Sequence, residues 1–198
     1  MAKYFSETEL AKMDQFREQI YAIREKMFAE FGVDPLDTDS LSSLAIYKIV
    51  KKYDADFNVN FARNGEDAKS NGILIEQKAC RVNPSQLTAT GRNRTNFGTD
   101  AMFQFHAMGD LKHPRYILVA RSETDLSILR IYDISSAANC KIVLDHLINE
   151  KNAWLAKGKK NEQDMKRDVI TISEKMLLSN LSFTLKTEID GCKVFKDC

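Results

Sequence analysis

The chain has 198 residues, of which 43% are hydrophobic and 29% charged, with a formal net charge of +1. This length supports one domain with its own core, and the near-neutral balance excludes a globally basic coat protein. No apolar run has the length to cross a bilayer and the N-terminus lacks a signal-peptide core, so no membrane partner is expected and the cytoplasm is the expected compartment. Cys80, Cys140, Cys192 and Cys198 are too scattered for a disulfide framework. Cys192 and Cys198 lack the paired spacing or neighbouring histidine of a zinc site.

In chain order, Ser6-Glu7-Thr8-Glu9 is a capping-box pattern opening a helix with Leu10, Met13, Phe16, Ile20, Ile23, Met27 and Phe31 at helical spacing. Gly32 stops it and Pro35 keeps it from resuming. The apolar stripe is expected to be mostly core, and an early amphipathic helix also offers a dimer surface. Leu41 to Val50 reads as a second helix, capped by Ser40 and ending in Lys51-Lys52. The period then falls to two: Phe57, Val59 and Phe61 alternate with asparagines as a half-buried strand. Asn64-Gly65 and Asn71-Gly72 are turn signals, Ile73 to Val82 is the next strand, and Asn83 to Phe97 is a loop. Thr99 to Met108 reads as a short helix, Tyr116 to Ala120 and Ser127 to Ile134 as central strands. Ser135 or Ser136 caps a long helix through Ile142, Leu147, Trp154 and Leu155, with Trp154 as a core anchor. Val169 to Ile172 is the last assigned strand. These elements make one mixed α/β domain over residues 1–198, helices flanking a central mixed sheet, with a helical region at 1–52 and a core at about 53–175.

The chemistry concentrates in Gly65-Glu66-Asp67-Ala68 and Ile73-Leu74-Ile75-Glu76-Gln77-Lys78. Alternate side chains of a strand share a face, so Glu76 and Lys78 project together beside Leu74 and Cys80, while Ile73, Ile75 and Ala79 point away. An acid and a lysine in an apolar strand require partners. Asp67 lies nine positions before Glu76 across the Asn71-Gly72 turn, so a hairpin return brings the two carboxylates together. Two hard carboxylates suit Mg²⁺, which polarises a phosphodiester and lowers the pKa of bound water. Lys78 would add positive charge where the transition state gathers negative charge, or help orient the attacking water.

Asp67, eight residues, Glu76, one residue, Lys78 resembles the signature of the PD-(D/E)XK nuclease superfamily, and in particular type II restriction endonucleases. The resemblance covers roughly residues 57–82. It implies a restriction-endonuclease-like fold, Asp67 and Glu76 as Mg²⁺ ligands, Lys78 as catalytic lysine, and double-stranded DNA as substrate, cut by a homodimer at a palindromic site. Glu66 stands where the signature has proline, and it is a second acid beside Asp67.

From Gln77 to Thr99 there is no acidic residue in 23 positions. Arg81, Arg92, Asn93, Arg94 and Asn96 in this stretch are candidates for DNA contact, since arginine forks suit guanine or phosphate and asparagine suits adenine. Gln104, on the helix that follows, is a further candidate. His106, His113 and His146 do not cluster with one another. Lys112 and Arg115 flank a strand entrance and read as ordinary exposed cations. No nucleotide-binding loop is present, so no nucleotide cofactor is expected. The alternative functions are a structure-specific repair or junction nuclease with the same centre, and a noncatalytic DNA-binding protein in which Glu76 and Lys78 form a structural pair.

Overall fold

The computed structural model describes residues 6–32, 34, 38–60, 67–82, 96–100, 115–122, 125, 127–157 and 169–198, with the backbone alone for 38–42, 96–100, 151, 154–155 and 169–171. The expectations for Phe61, the Asn64-Gly65 turn, residues 101–108 and the Trp154 side chain lie outside the described residues. Two compact units are present, residues 1–44 and 45–198.

The first unit carries α1 (Glu7–Phe31). Ser6 and Glu9 form the capping box, and Gly32 closes the helix at φ 68°, a left-handed conformation that glycine adopts without strain. The expectation that its apolar stripe is core is wrong: α1 buries none of its residues. Helical spacing gathers these side chains on one face, but whether that face is buried depends on what packs against it. Helix α2 (Thr38–Val50) starts three residues earlier than its sequence pattern suggested and crosses into the second unit, where Ile46, Ile49 and Val50 are buried.

The second unit is built on a mixed sheet of seven strands among the described residues, in the order β1-β2-β3-β5-β6-β9-β8. The strands are β1 (Asn58–Val59), β2 (Ala68–Ser70), β3 (Ile73–Val82), β5 (Arg115–Ser122), β6 (Ile128–Ile134), β8 (Phe183–Ile189) and β9 (Cys192–Asp197). A separate two-stranded ribbon pairs β4 (Asn96–Asp100) with β7 (Val169–Ser173). Helices α3 (Ala137–Ala156) and α4 (Glu174–Asn180) follow β6 and β7. The α/β class with helices flanking a mixed sheet is thus the observed architecture. None of the described helices is long and apolar enough to cross a membrane.

Two-residue turns set the register of both hairpins. Asn71 and Gly72 (φ 49° and 76°) join β2 to β3, and Asp190 and Gly191 (φ 51° and 79°) join β8 to β9. Positive φ at both central positions matches the right-handed twist of the flanking strands. β3 then pairs parallel with β5, and β5 antiparallel with β6. Every residue of β5 is buried because both sheet faces are covered. One face packs Ile75, Ile117, Val119 and Ile131 with Ile46, Val50 and Phe57. The other packs Tyr116, Leu118, Tyr132 and Ile134 against Val143 and Leu147 of α3 and Leu177 of α4.

Three sequence assignments are corrected. Asn96 and Phe97 are strand rather than loop, and Thr99 and Asp100 are strand rather than the start of a helix. The tail left unassigned after Ile172 supplies β8 and β9 of the main sheet. β9 also closes the start of α3: the Asp197 carboxylate accepts hydrogen bonds from the Ser135 and Ser136 amides (3.0 and 2.8 Å) and the Asn139 side-chain amide (3.0 Å). Those donors hold its carboxyl below the usual range although burial pushes it up. Asp197→Ala is expected to cost about 2 kcal/mol, as loss of a charged helix cap does. A denaturant midpoint unchanged from wild type would show that the clamp is redundant.

Candidate active site

The hairpin places Asp67 where the sequence pattern expects it. Ala68 pairs with Ile75, so Asp67, one residue earlier, returns beside Glu76 and Gln77. Its Oδ2 accepts the Gln77 amide hydrogen at 2.7 Å and lies 3.4 Å from Lys78 Nζ. The same ammonium pairs directly with Glu76 Oε1. One lysine therefore sits between two carboxylates, one on β3 and one on the residue just before β2. Glu76 is 2% exposed, Lys78 21% and Asp67 36%, which makes a centre closed on the glutamate side and open on the aspartate side.

Burial raises the Glu76 carboxyl above the usual range, and nearby Asp67 adds to the rise, against the opposing pull of Lys78. Burial alone would lower Lys78, but the charges of Glu76 and Asp67 outweigh it and hold the amine above its usual value. Lys78 is thus an ammonium at neutral pH. With both carboxylates ionised the three side chains carry a net charge of −1, an electrostatic setting that attracts a further cation. Among the described residues no three His, Cys, Asp or Glu side chains gather at one point, so the oxygen donors here are two carboxylates.

Beyond Lys78 on the same face of β3, a buried polar group was not foreseen. Glu174, with no exposed surface, accepts hydrogen bonds from Arg130 Nη1 (2.7 Å) and the Tyr132 hydroxyl. Burial pushes the neighbouring Cys80 thiol up to about 12, with the Glu174 charge adding to the rise, so this thiol is inert at neutral pH.

On the opposite face, Arg115 corrects its reading as an ordinary exposed cation. It is 8% exposed and grips Asp133 with two hydrogen bonds, Nε to Oδ1 (2.8 Å) and Nη2 to Oδ2 (2.7 Å). Its Nη1 donates to Asp54, which also accepts from the Ser70 hydroxyl. A cavity of about 450 Å³ opens beside this cluster, lined by Tyr53, Asp54, Ser70, Arg115, Lys186 and Lys196 among others. Arg115 and Ile73 lie across the sheet from Glu76 and Lys78 by strand alternation, so the cavity is distinct from the carboxylate–lysine centre.

Of the DNA-contact candidates, Arg81 is exposed and, by alternation, on the face of β3 away from Lys78. Asn96 opens β4, paired with Ser173. Arg92, Asn93, Arg94 and Gln104 lie outside the described residues, as do Glu66, His106, Lys112 and His113. The four cysteines are free thiols. The fold and this centre define an α/β protein with two carboxylates and a lysine at the start of its central sheet. The chain matches no family model and no curated protein.

Proposed function

We propose that the chain is a type II restriction endonuclease of the PD-(D/E)XK kind, a Mg²⁺-dependent enzyme that hydrolyses double-stranded DNA at a specific sequence as a homodimer. The observation that carries this reading is the convergence of Asp67, Glu76 and Lys78 on one point across a hairpin. The donor chemistry fits Mg²⁺: both ligands are hard carboxylates, and the exposed side of Asp67 leaves room for the several waters that this ion retains. Asp67 and Glu76 would hold the metal, which when bound supplies polarisation of the phosphodiester and a more acidic water. Lys78, kept protonated by its two neighbours, has no lone pair to act as a base. It stabilises negative charge on the phosphorane instead. The hydrogen bond from the Gln77 amide fixes the Asp67 carboxylate, so the ligand is oriented before substrate arrives.

Purified protein incubated with Mg²⁺ and DNA of diverse sequence is expected to yield discrete fragments. A protein that leaves every such DNA intact is not this enzyme. A second reading is supported by the direct Glu76–Lys78 contact and the near-complete burial of Glu76, which also suit a structural ion pair in a noncatalytic DNA-binding protein. Titration calorimetry separates the two. Mg²⁺ binding to wild type, lost in Asp67→Ala, is expected of the metal centre. The structural pair predicts no Mg²⁺ heat from either protein and DNA binding that depends on salt alone.

A further inference from the structure

Helix α1 has the pattern of a coiled-coil seam. Met13, Phe16, Ile20, Ile23 and Met27 recur at alternating steps of three and four, the 3.5-residue period that keeps a stripe facing a second helix. The helix is 25 residues long, capped at both ends, and buries none of its own residues. Phe16 is 55% exposed, Ile20 48%, Ile23 57% and Phe31 64%. Together with Leu10, Met13 and Met27 these side chains offer roughly 600 Å² of apolar surface, so a pair of helices would bury about 1,200 Å², the lower bound for a specific protein interface.

We propose that the occupant of this seam is α1 of a second copy of the chain, lying antiparallel, with Ile20 against the partner's Ile23 at a twofold axis. This rests on the homodimer in the proposed function and assigns it a surface. In that register Phe16 meets the partner's Met27, a favourable sulfur–aromatic pairing, and Leu10 meets the partner's Phe31 at both ends. Gln19 meets the partner's Lys26 along one flank. Along the other, Arg17 nears the partner's Arg24, but each arginine is already paired within its own chain, to Asp14 and to Asp34, both at 2.7 Å. A parallel alignment instead sets Lys12 against the partner's Arg17, Lys26 against the partner's Phe31 and Glu30 against the partner's Glu30. Within the seam itself the antiparallel register has one mismatch, Met13 against the partner's Glu30, which falls near the helix ends, where solvent reaches. Such a contact is isologous, and it closes on two copies.

The test uses the full chain and needs no cleavage. Sedimentation equilibrium is expected to give a dimer for wild type and for Lys78→Ala. The double variant Ile20→Asp, Ile23→Asp is expected to be a monomer, its association weakened about 100-fold or more, with the unfolding midpoint that wild type has when diluted to the monomer, since dimerisation itself raises the midpoint. In a Cys198→Ser background, a mixture of Gln19→Cys and Lys26→Cys proteins is expected to form a disulfide between the two, and neither variant alone to do so. A wild-type monomer, or a dimer that survives the aspartates, overturns the proposal, as does a double variant that unfolds earlier than monomeric wild type, since the stripe would then be covered within one chain. Dissociation by the aspartates without the mixed disulfide overturns the antiparallel register. Dimerisation in a protein that cuts no DNA leaves this interface standing and removes the nuclease reading, so the two fail separately.

Discussion

On the proposed nuclease reading, Lys78→Ala protein is expected to lose DNA cleavage by about 10²–10³-fold or more in kcat, the scale on which enzymes lose rate when one preorganised stabilising charge is removed. The loss has two sources. The developing charge on the phosphorane loses its ammonium, and Glu76, 2% exposed, loses the cation that favours its ionised form. Glu76 then binds a proton more readily, so Mg²⁺ affinity falls as well, and cleavage should recover in part at higher pH and higher Mg²⁺. The isosteric Glu76→Gln separates function from stability. Burial raises the Glu76 carboxyl, so the stability this group contributes is present below its ordinary pKa and is lost as pH rises through the raised, folded value. At neutral pH wild type therefore carries a cost that Gln lacks. Glu76→Gln is expected to unfold at the same midpoint as wild type or higher while cutting no DNA. If it instead unfolds earlier and still cuts, the pair is structural.

The largest stability effect is expected at Arg115. Replacing it by Ala leaves Asp133, with no exposed surface, as a buried carboxylate facing Asp54 across the vacated guanidinium. Breaking a buried pair from one side costs about 3–5 kcal/mol, or roughly 6–20 °C in Tm for a chain of this size. The double change Arg115→Met, Asp133→Leu removes both charges and is expected to recover part of that loss, since desolvation offsets most of what a buried pair contributes. A double variant no more stable than Arg115→Ala would mean that the guanidinium acts through packing and not through charge. The pH dependence is directional. Burial pushes the Asp54 carboxyl up, but hydrogen bonds from Arg115 and Ser70 bring it below its ordinary value. Its contribution to stability is therefore full above the ordinary aspartate pKa and is lost as pH falls through the lower, folded one.

How much of this was readable in the sequence depended on the range of each interaction. The capping box of α1, the bounds of β3 and the shared face of Glu76 and Lys78 follow from contacts within a few residues, and all three stand in the structure. Asp67 was reachable too, because a two-residue turn transmits register directly from one strand to the next. The same reasoning was available for β8 and β9, where Asp190-Gly191 between alternating residues is a hairpin signal that went unused.

Other features depend on partners far away in the chain. Asn96 to Asp100 carry loop-like residues, and they become a strand because β7, some seventy positions later, offers hydrogen bonds to their backbone. Arg115 looked like a solvated cation because the two carboxylates that bury it, Asp54 and Asp133, come from a loop and from β6. The exposure of α1 was not legible either: its sequence sets the stripe, while burial depends on what packs against it, and no residue of the helix is buried. The sequence by itself determined the local elements and the face on which the chemistry stands, because φ/ψ preference and alternation act over a few residues. Only the tertiary structure decided which charges are buried, and with that the protonation of Glu76 and Lys78, because desolvation depends on every element packed around a group.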